Sequence, residues 1–588
     1  MNIAPLFVVV HDPAATLPPR IDQFLKARAH ASGLGRLYEG NGVVAFGDPA
    51  APHLQLRNSA GLIWGVLFDR TTDLRVTDPE QIESTNGSIA NLAERQWGGF
   101  LSIRQSGRLV EVYRDPSGSI PCYHFQVDGA EVFTTRPAMF VDAGLLRAEI
   151  EWTLLTQALV YRDLRPARTP LRGVSEVQPG TAVRFDDGLL RVETVWSPWR
   201  FTGSEMGAEA ADKAIERVQR AVTNCVGAWG RCFNRPLIEI SGGLDSSIIA
   251  AVLAQADVGS ECVTFAPSEG DPDETPYARA ATEYLGLRLE VLRANVADVD
   301  LRRTQARDLP RPAARCFTQA HDVQLRSVGA KIGADAFFSG GGGDNVFAYL
   351  KSVLPVIDRW KRGGGGVLAT MTDMAALAEV SLWEVVAQSI KRLIRLRAVR
   401  KWAGDERFLD SRALHDLPFP QDHPWIDAPA HVLPGKRVHG HSMIVIQNHL
   451  EGFDRLQDAP IISPLMSQPI VETCMAIPTW VWCEGGMNRA IARKAFAERL
   501  PSAVIERRTK GAFDSYCAKV FVANRGTVRD MLLGGALAGQ GLLDLSAIEM
   551  KLANDVADRS DMVRLLDLVD AEAWVGAWAS RSSSQYGL

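Results

Sequence analysis

The sequence lacks the features that mark membrane-spanning and nucleic-acid-binding proteins. Its 588 residues contain no run of about 18 consecutive apolar residues, so no transmembrane segment is predicted. The formal net charge is -5, whereas a nucleic-acid-binding protein usually carries an excess of positive charge, so no nucleic-acid partner is expected. The composition is 46% hydrophobic and 23% charged, which is typical of a globular protein with a large buried core.

Cysteine pairs of the kind that bind zinc or carry redox chemistry are also missing. The eight cysteines are scattered, and none forms a C-x-x-C pair. Reduced thiols fit the cytoplasm, which is the predicted location. His439, His441 and His449 lie close together in sequence, but no cysteine or carboxylate completes a zinc set with them. They are predicted to be core or surface residues.

The pattern of strands and helices changes near residue 200. Before it, the signals are mostly those of strands, with hairpins predicted around Ser106-Gly107, Asp128-Gly129 and Pro179-Gly180. After it, short apolar strands alternate with helices, which predicts a parallel sheet covered by helices. The predicted fold class is therefore α/β plus α+β. A β-rich domain is predicted over 1–200 and an α/β domain with helical additions over 207–588.

Two glycine-rich segments each follow a predicted strand of the second domain. SGGLDSS occupies 241–247 and FFSGGGGDNVF occupies 337–347, while the Walker and dinucleotide-binding spacings are absent. Backbone N–H groups in such turns bind phosphate, and a carboxylate beside phosphate implies a divalent cation between them. Either segment alone could be an ordinary strand-to-helix turn. Together, with Asp245 in one and Asp344 in the other, they predict a site for a triphosphate and Mg²⁺.

These motifs resemble those of the asparagine synthetase superfamily. SGGLDSS resembles the pyrophosphate-binding loop of the ATP-pyrophosphatase class, and SGGGGDNVF stands in place of that family's S-G-E-G-x-D-E. LPSAVIERRTKGAF, at 500–513, resembles its L-P…R-x-K-x-x-F end. RDPSGSIPCYHF, at 114–125, is similar to a motif of class II glutamine amidotransferases. The resemblance implies an Ntn-type amidotransferase-like domain followed by an ATP-pyrophosphatase-type synthetase domain.

The resemblance also implies roles for particular residues. Lys510, Asp344 and Arg508 form the implied catalytic set, and Lys510 would stabilise negative charge on the tetrahedral intermediate and the α-phosphate. Asp245 and Asp344 would hold Mg²⁺. The residues expected to bind ATP and pyrophosphate are Ser241, Gly242, Gly243, Leu244, Asp245, Ser246, Ser247, Ser339, Gly340 and Gly341.

Two departures from the family pattern narrow the expected function. Position 2 is Asn where glutamine-hydrolysing domains carry a nucleophilic Cys, so ammonia from glutamine is not expected. Gly341 stands where asparagine synthetases have Glu, and glycines 340–343 are expected to leave room for a bulky substrate. The chain in these respects resembles the lasso-peptide macrolactam synthetases. That resemblance implies adenylation of an Asp or Glu side chain of a leaderless precursor peptide, followed by isopeptide ring closure with its N-terminal amine.

Other interpretations stay open at this point. A β-lactam-synthetase-like enzyme, an ammonia-dependent asparagine synthetase-like enzyme and a noncatalytic scaffold are the alternatives. The expected partners are the precursor peptide, a leader peptidase and a leader-recognition protein. The cationic run KRLIRLRAVRK at 391–401 is either a solvated helix face or a contact for one of these partners.

Overall fold

The fold is described from a computed structural model of the chain. The residues it describes are 5–12, 16–57, 60–83, 88–186, 188–203, 211–267, 271–363, 365–395, 402–508, 514–553 and 558–586.

The first part of the chain forms two antiparallel sheets. In chain order the strands are β1 (Leu6–Val10), β2 (Gly35–Gly40), β3 (Val43–Gly47), β4 (His53–Leu56), β5 (Gly61–Asp69), β6 (Gln96–Ser106), β7 (Leu109–Arg114), β8 (Tyr123–Val127), β9 (Ala130–Thr134), β10 (Ser175–Glu176), β11 (Thr181–Asp186) and β12 (Leu189–Thr194). One sheet has the order β10-β8-β9-β1-β3-β2 and the other β12-β11-β7-β6-β5-β4.

The two sheets pack face to face, with helices on their outer faces. Side chains of a strand alternate between faces, and β1 (LFVVV) is apolar on both. Its Leu6 and Val8 share a core with Trp64 of the other sheet, whereas Phe7 packs with Phe24 of a helix on the outer face. The result is a four-layer helix, sheet, sheet, helix arrangement.

Helices occur throughout the chain and dominate its second part. They are α1 (Pro19–Ser32), α2 (Glu80–Glu83), α3 (Ile89–Arg95), α4 (Ala138–Asp142), α5 (Trp152–Val160), α6 (Ala211–Gly230), α7 (Leu244–Gln255), α8 (Thr275–Leu285), α9 (Gln319–Ile332), α10 (Gly343–Val346), α11 (Leu354–Lys361), α12 (Val367–Ala378), α13 (Leu382–Arg395), α14 (Ser411–Leu414), α15 (Pro434–Gln447), α16 (Gln468–Ala476), α17 (Ala490–Ala495), α18 (Ser502–Ile505), α19 (Asp514–Ala523), α20 (Arg525–Gly534), α21 (Ala536–Gly539), α22 (Leu545–Ala553) and α23 (Arg559–Tyr586).

A parallel sheet lies at the centre of the second part. Its strands are β13 (Pro236–Glu239), β14 (Glu261–Phe265), β15 (Leu289–Leu292), β16 (Ala336–Ser339) and β17 (Ile461–Ile462), in the order β15-β14-β13-β16-β17. The central strand β13 pairs in parallel with β14 and β16. Because β13 and β16 are neighbours, the two glycine-rich segments emerge side by side at one edge of the sheet. The predicted fold class is confirmed.

The predicted hairpins have two different outcomes. β8 pairs with β9 across Asp128-Gly129, and β6 pairs with β7 across Ser106-Gly107, as expected. The hairpin predicted around Pro179-Gly180 is wrong. Gly180 does turn at φ +73°, but β10 before it pairs with β8, whereas β11 after it pairs with β7 in the other sheet. The turn therefore carries the chain from one sheet to the other.

A buried charge network joins the two parts of the chain. Arg165 is 1% exposed, and its guanidinium contacts both Glu176 and Glu451, the latter from the second part. Tyr123 donates a hydrogen bond of 2.9 Å to Glu451. Hydrophobic packing is shared as well, because Leu155 of α5 lies in one core with Trp574 of α23. The two parts therefore share buried packing in addition to the clusters that each part forms by itself.

The remaining sequence expectations concern membranes and cysteines. Among the helices that the structure describes, none combines the length and the apolar character needed to cross a membrane. All eight cysteines are free thiols, and all but Cys232 are buried.

Candidate active site

The first glycine-rich segment turns tightly between β13 and α7. Gly242 has φ +64°, and a Cβ there would lie 2.5 Å from both the Tyr277 side chain and the Ala278 backbone nitrogen, so only glycine fits. α7 begins after Gly243, with no side chain capping its first N–H groups. Uncapped N–H groups at a helix N-terminus bind anions such as phosphate.

The serines of this segment differ in their surroundings. Ser241 is exposed, and its hydroxyl accepts a hydrogen bond of 3.3 Å from the Gly243 backbone. Ser246 is buried but its hydroxyl still accepts a bond of 3.2 Å from the Ser241 backbone. Ser247 is 0% exposed and faces the core of the protein. Of the three predicted phosphate ligands, Ser241 is therefore the one whose side chain faces the open side of the loop.

The second glycine-rich segment packs directly against the first. A Cβ at Gly340 would lie 2.9 Å from the Ser246 backbone nitrogen, and one at Gly343 would lie 2.3 Å from the carboxyl carbon of Asp245. Gly342 has φ +91°, which other residues rarely adopt. Glycine at 340 and 343 lets the two loops come into contact, and a Cβ at Gly342 would lie 2.5 Å from the Met466 sulfur, so the expectation that these three glycines make room for a substrate is wrong. Gly341 has more space, since its Cβ would meet two serine hydroxyls at 3.3 and 3.4 Å.

This contact places the two predicted metal ligands beside one arginine. Arg489 Nη1 lies 2.9 Å from Asp245 Oδ2 and 2.7 Å from Asp344 Oδ1. The arginine and Asp245 side chains are 9% and 13% exposed, and that of Asp344 is 26% exposed. The guanidinium also lies over the ring of Tyr349, 5.3 Å from its centroid. Sequence reasoning missed Arg489, because NRAIARK carries no motif and lies far along the chain from both aspartates.

A second arginine holds the outer edge of the first loop. Arg507 forms an ion pair with Glu274, and its guanidinium carbon lies 4.2 Å from the centroid of the Tyr277 ring. Its Nη1 approaches the Ser241 carbonyl oxygen at 3.5 Å. The neighbouring Arg508, to which the family resemblance gave a catalytic role, lines a cavity. Lys510 lies outside the described residues.

That cavity has a volume of about 820 Å³ and begins a few residues beyond the second glycine-rich segment. Its walls come from α12, α13, and the stretches 349–353 and 486–488, together with Arg508. Met374, Leu377 and Val385 supply apolar surface, whereas Lys391 and Glu384 supply opposite charges. Tyr349 lines the cavity and also stacks on Arg489, so one side chain adjoins both the cavity and the aspartate pair.

A buried histidine, His439, contacts the end of the second glycine-rich segment and is itself contacted by a buried lysine, Lys436. The His439 ring donates through Nε2 to the Val346 carbonyl oxygen at 2.9 Å, and Lys436 Nζ lies 3.2 Å from its Nδ1. Burial lowers the pKa of His439 well below its ordinary value and lowers the pKa of Lys436 to about 7. His439 is thus a core residue, one of the two predicted outcomes, and it contacts α10, the short helix that carries Asp344.

The aspartate pair suits Mg²⁺ when phosphate oxygens complete the coordination. No cluster of three or more His, Cys, Asp or Glu side chains able to hold a metal occurs among the described residues. Mg²⁺ is commonly bound by one or two carboxylates together with substrate phosphates, and two carboxylates sharing one cationic nitrogen provide such a donor pair. Asp245 and Asp344 are therefore the residues that would hold the ion.

Comparison with known proteins shows the family of the chain. The family described as asparagine synthase matches residues 217–576, which is more than half of the chain. The chain belongs to the asparagine synthase family. Members of this family are ATP-dependent ligases that form amide bonds, so this asparagine synthase family protein is an ATP-dependent amide synthetase in this broad sense.

The other comparisons add little to the family assignment. No curated protein sequence matches the chain. Two solved structures with some similarity are the allosteric regulatory enzyme of purine biosynthesis and a B. subtilis glutamine phosphoribosylpyrophosphate amidotransferase complexed with ADP and GMP. The first is 12% identical and covers 57% of this chain and 83% of its own, with a TM-score of 0.20. The second is 13% identical and covers 57% and 84%, with a TM-score of 0.19. Similarity at this level supports no conclusion about function.

Proposed function

We propose that this asparagine synthase family protein is a macrolactam synthetase of the lasso-peptide type. The observation that carries the proposal is the cavity of about 820 Å³ beside the second glycine-rich segment. Pockets for small molecules span roughly 300 to 1,000 Å³, so this volume is near the upper end of that range. Free aspartate would leave most of it empty, whereas a peptide would fill it.

The first step of the proposed reaction activates a carboxylate of the peptide. An Asp or Glu side-chain oxygen attacks the α-phosphorus of ATP, pyrophosphate leaves, and an acyl-adenylate forms. The uncapped start of α7 and the exposed Ser241 hydroxyl would bind phosphate oxygens. Bound Mg²⁺ would offset negative charge on the departing pyrophosphate. Asp245 and Asp344 would hold that ion.

The second step closes the ring. The N-terminal amine of the peptide attacks the acyl carbonyl, the C–N bond forms, AMP leaves and the nitrogen loses a proton. The peptide therefore loses one water overall. Lys510, by its match to the family's R-x-K element, would stabilise the negative charge that develops on the intermediate. Tyr349 and the apolar cavity wall would keep the reactive adenylate from water while the amine approaches.

Two features of the chain, its cysteines and Gly341, bear on the source of the attacking amine. Cys122 is the first cysteine of the sequence, and burial raises the pKa of its thiol to about 12, so it is not an activated nucleophile. The acidic side chain that asparagine synthetases carry at the position of Gly341 is missing. Both features favour an amine that belongs to the substrate itself. The precursor peptide is then the main partner, and a leader peptidase and a leader-recognition protein would act before this enzyme.

The test is to incubate the purified protein with ATP, Mg²⁺ and a leaderless precursor peptide encoded beside its gene. The expected result is AMP and pyrophosphate that depend on the peptide, together with a peptide lighter by one water. AMP formed with aspartate and ammonia instead would indicate asparagine synthesis, and a small β-amino acid losing water would indicate β-lactam closure. No AMP with any substrate would indicate a scaffold.

A pair of variants at Gly341 sharpens this test. Gly341→Glu places an acidic side chain at the edge of the acceptor site, and we expect it to reduce ring closure more than ATP binding. Gly341→Ala is the matched control, because its added methyl group needs only small shifts of the Ser339 and Ser463 hydroxyls. Equal loss of ATP binding and ring closure in Gly341→Glu would contradict an acceptor role for this position.

A further inference from the structure

A cationic side chain of the protein itself contacts both proposed metal ligands. One nitrogen of Arg489 lies within 3.1 Å of both Asp245 carboxylate oxygens and 2.7 Å from Asp344 Oδ1. Arg489 adopts φ +53°, a backbone conformation that is uncommon for residues other than glycine and that often marks functional positions. Its ring contact with Tyr349 and its bond of 3.2 Å to Asn488 hold the guanidinium in this place.

Competition between this guanidinium and a metal ion follows from charge and position. A divalent cation bound by both carboxylates would have to lie where Arg489 Nη1 now contacts them, or would share the carboxylates with it. Two like charges a few ångström apart in a partly buried site repel each other strongly, so arginine and metal disfavour one another there. Without nucleotide, the single positive charge of the arginine already offsets one of the two carboxylate charges that would attract the metal.

We propose that Arg489 is the resident counter-cation of Asp245 and Asp344, so that the nucleotide-free protein excludes free divalent cations and takes the metal together with ATP. This inference rests on the proposed assignment of the two aspartates as metal ligands. Triphosphate oxygens supply both additional ligands for the metal and a new partner for the displaced guanidinium, which binds phosphate in a bidentate manner. Arg489 is thereby a positioning residue that sets the order of binding.

The test measures the affinity of nucleotide-free protein for Mn²⁺, a paramagnetic substitute for Mg²⁺, by electron paramagnetic resonance. Arg489→Gln keeps a hydrogen-bond donor but removes the charge, and it should bind Mn²⁺ at least about tenfold more tightly than the wild type. Arg489→Lys keeps the charge and should bind it as weakly as the wild type. The control is Arg499→Gln, since Arg499 contacts Thr223 away from the site and its loss should leave Mn²⁺ affinity unchanged.

A second measurement needs only the wild type. Its affinity for α,β-methylene-ATP should fall at least about tenfold when divalent cations are removed with a chelator, because the metal and the triphosphate enter together. If Arg489→Gln does not fold, this result and the Mn²⁺ affinity of Arg489→Lys decide the question. Tight Mn²⁺ binding by nucleotide-free wild type that disappears in Asp344→Asn would overturn the proposal.

The outcomes separate this inference from the proposed function. One outcome is that wild type and Arg489→Gln bind Mn²⁺ with equal affinity and that Asp344→Asn does not bind it. This outcome would support the metal site but refute the role of Arg489. If Arg489→Gln binds no Mn²⁺ and nucleotide binding does not depend on metal, the assignment of the aspartates fails, and the inference fails with it.

Discussion

Gly343 and Asp245 are in such close contact that the side chain of Asp245 already fills the place of a Cβ on Gly343. A methyl group there would lie 2.3 Å from the carboxyl carbon and 2.5 Å from the Asp245 Cβ. Gly343→Ala should therefore push the two loops apart. We expect it to weaken binding of Mg²⁺-ATP at least about tenfold and to destabilise the fold by about 1 to 3 kcal/mol, as overpacking does.

Calorimetric titration with the ATP analogue and denaturant unfolding check this prediction. Gly341→Ala serves as the comparison, because the contacts of its Cβ would be 3.3 and 3.4 Å with serine hydroxyls. A Gly343→Ala protein with the nucleotide affinity of the wild type would show that loop contact is not needed for the site.

A separate prediction concerns the acceptor substrate, which we expect to bind in the cavity. Gln388 of α13 lines the cavity, and Gln388→Trp would fill part of it without touching the glycine-rich segments. The KM for the peptide should rise several-fold or more, whereas the affinity for ATP should not change. Ala387→Trp is the control, since Ala387 is exposed on the same helix but is not part of the cavity wall. Equal effects of the two variants on the peptide KM would argue against the cavity as the peptide site.

Lys510 remains a prediction from the family resemblance, and rate measurements can test it. Lys510→Ala should lower kcat by about 100-fold or more, because removing a donor that stabilises transition-state charge typically costs this much. ATP binding should be affected far less. Lys494→Ala is a suitable control, since that lysine forms an ion pair with Glu484 that is about half exposed. A Lys510→Ala enzyme with normal kcat would remove this residue from the catalytic set.

The buried Lys436 predicts a pH dependence of stability. Its pKa in the folded protein is about 7, below its ordinary value of 10.5, because burial disfavours the charge. Between about pH 7 and pH 10 the unfolded chain therefore binds more protons than the folded one, and stability rises with pH. Lys436→Met should lack this contribution. The difference between the free energies of unfolding of the wild type and the variant should therefore shift in favour of the wild type as the pH rises from about 7 to about 10.

Urea unfolding of both proteins at several pH values measures that difference. A constant gap between wild type and Lys436→Met would mean that Lys436 keeps an ordinary pKa in the folded protein. A parallel loss of nucleotide affinity in the variant would indicate that His439, which Lys436 contacts, helps to place α10.

The sequence was informative where the signal is local. SGGLDSS and FFSGGGGDNVF follow apolar strands, and neighbouring parallel strands bring such segments together, so the approach of Asp245 to Asp344 was predictable. Arg489 was not, because its contacts depend on how α17 and the preceding stretch pack in three dimensions. The turn at Pro179-Gly180 was recognised, but turn chemistry does not specify which sheet each flanking strand joins. The family resemblance indicated an open acceptor site, whereas in the structure a Cβ at any of the four glycines would meet neighbouring atoms, least closely at Gly341.

The buried contact of Arg165 with Glu451 has a consequence for protein engineering. Removing one partner of a buried ion pair typically costs about 3 to 5 kcal/mol. A shortened chain that begins after residue 200 would leave Glu451 without the guanidinium of Arg165 and the hydroxyl of Tyr123, and would uncover the core that α23 shares with α5. The first part of the chain therefore supplies ion-pair and packing partners to the ligase part, and engineered variants should retain both parts.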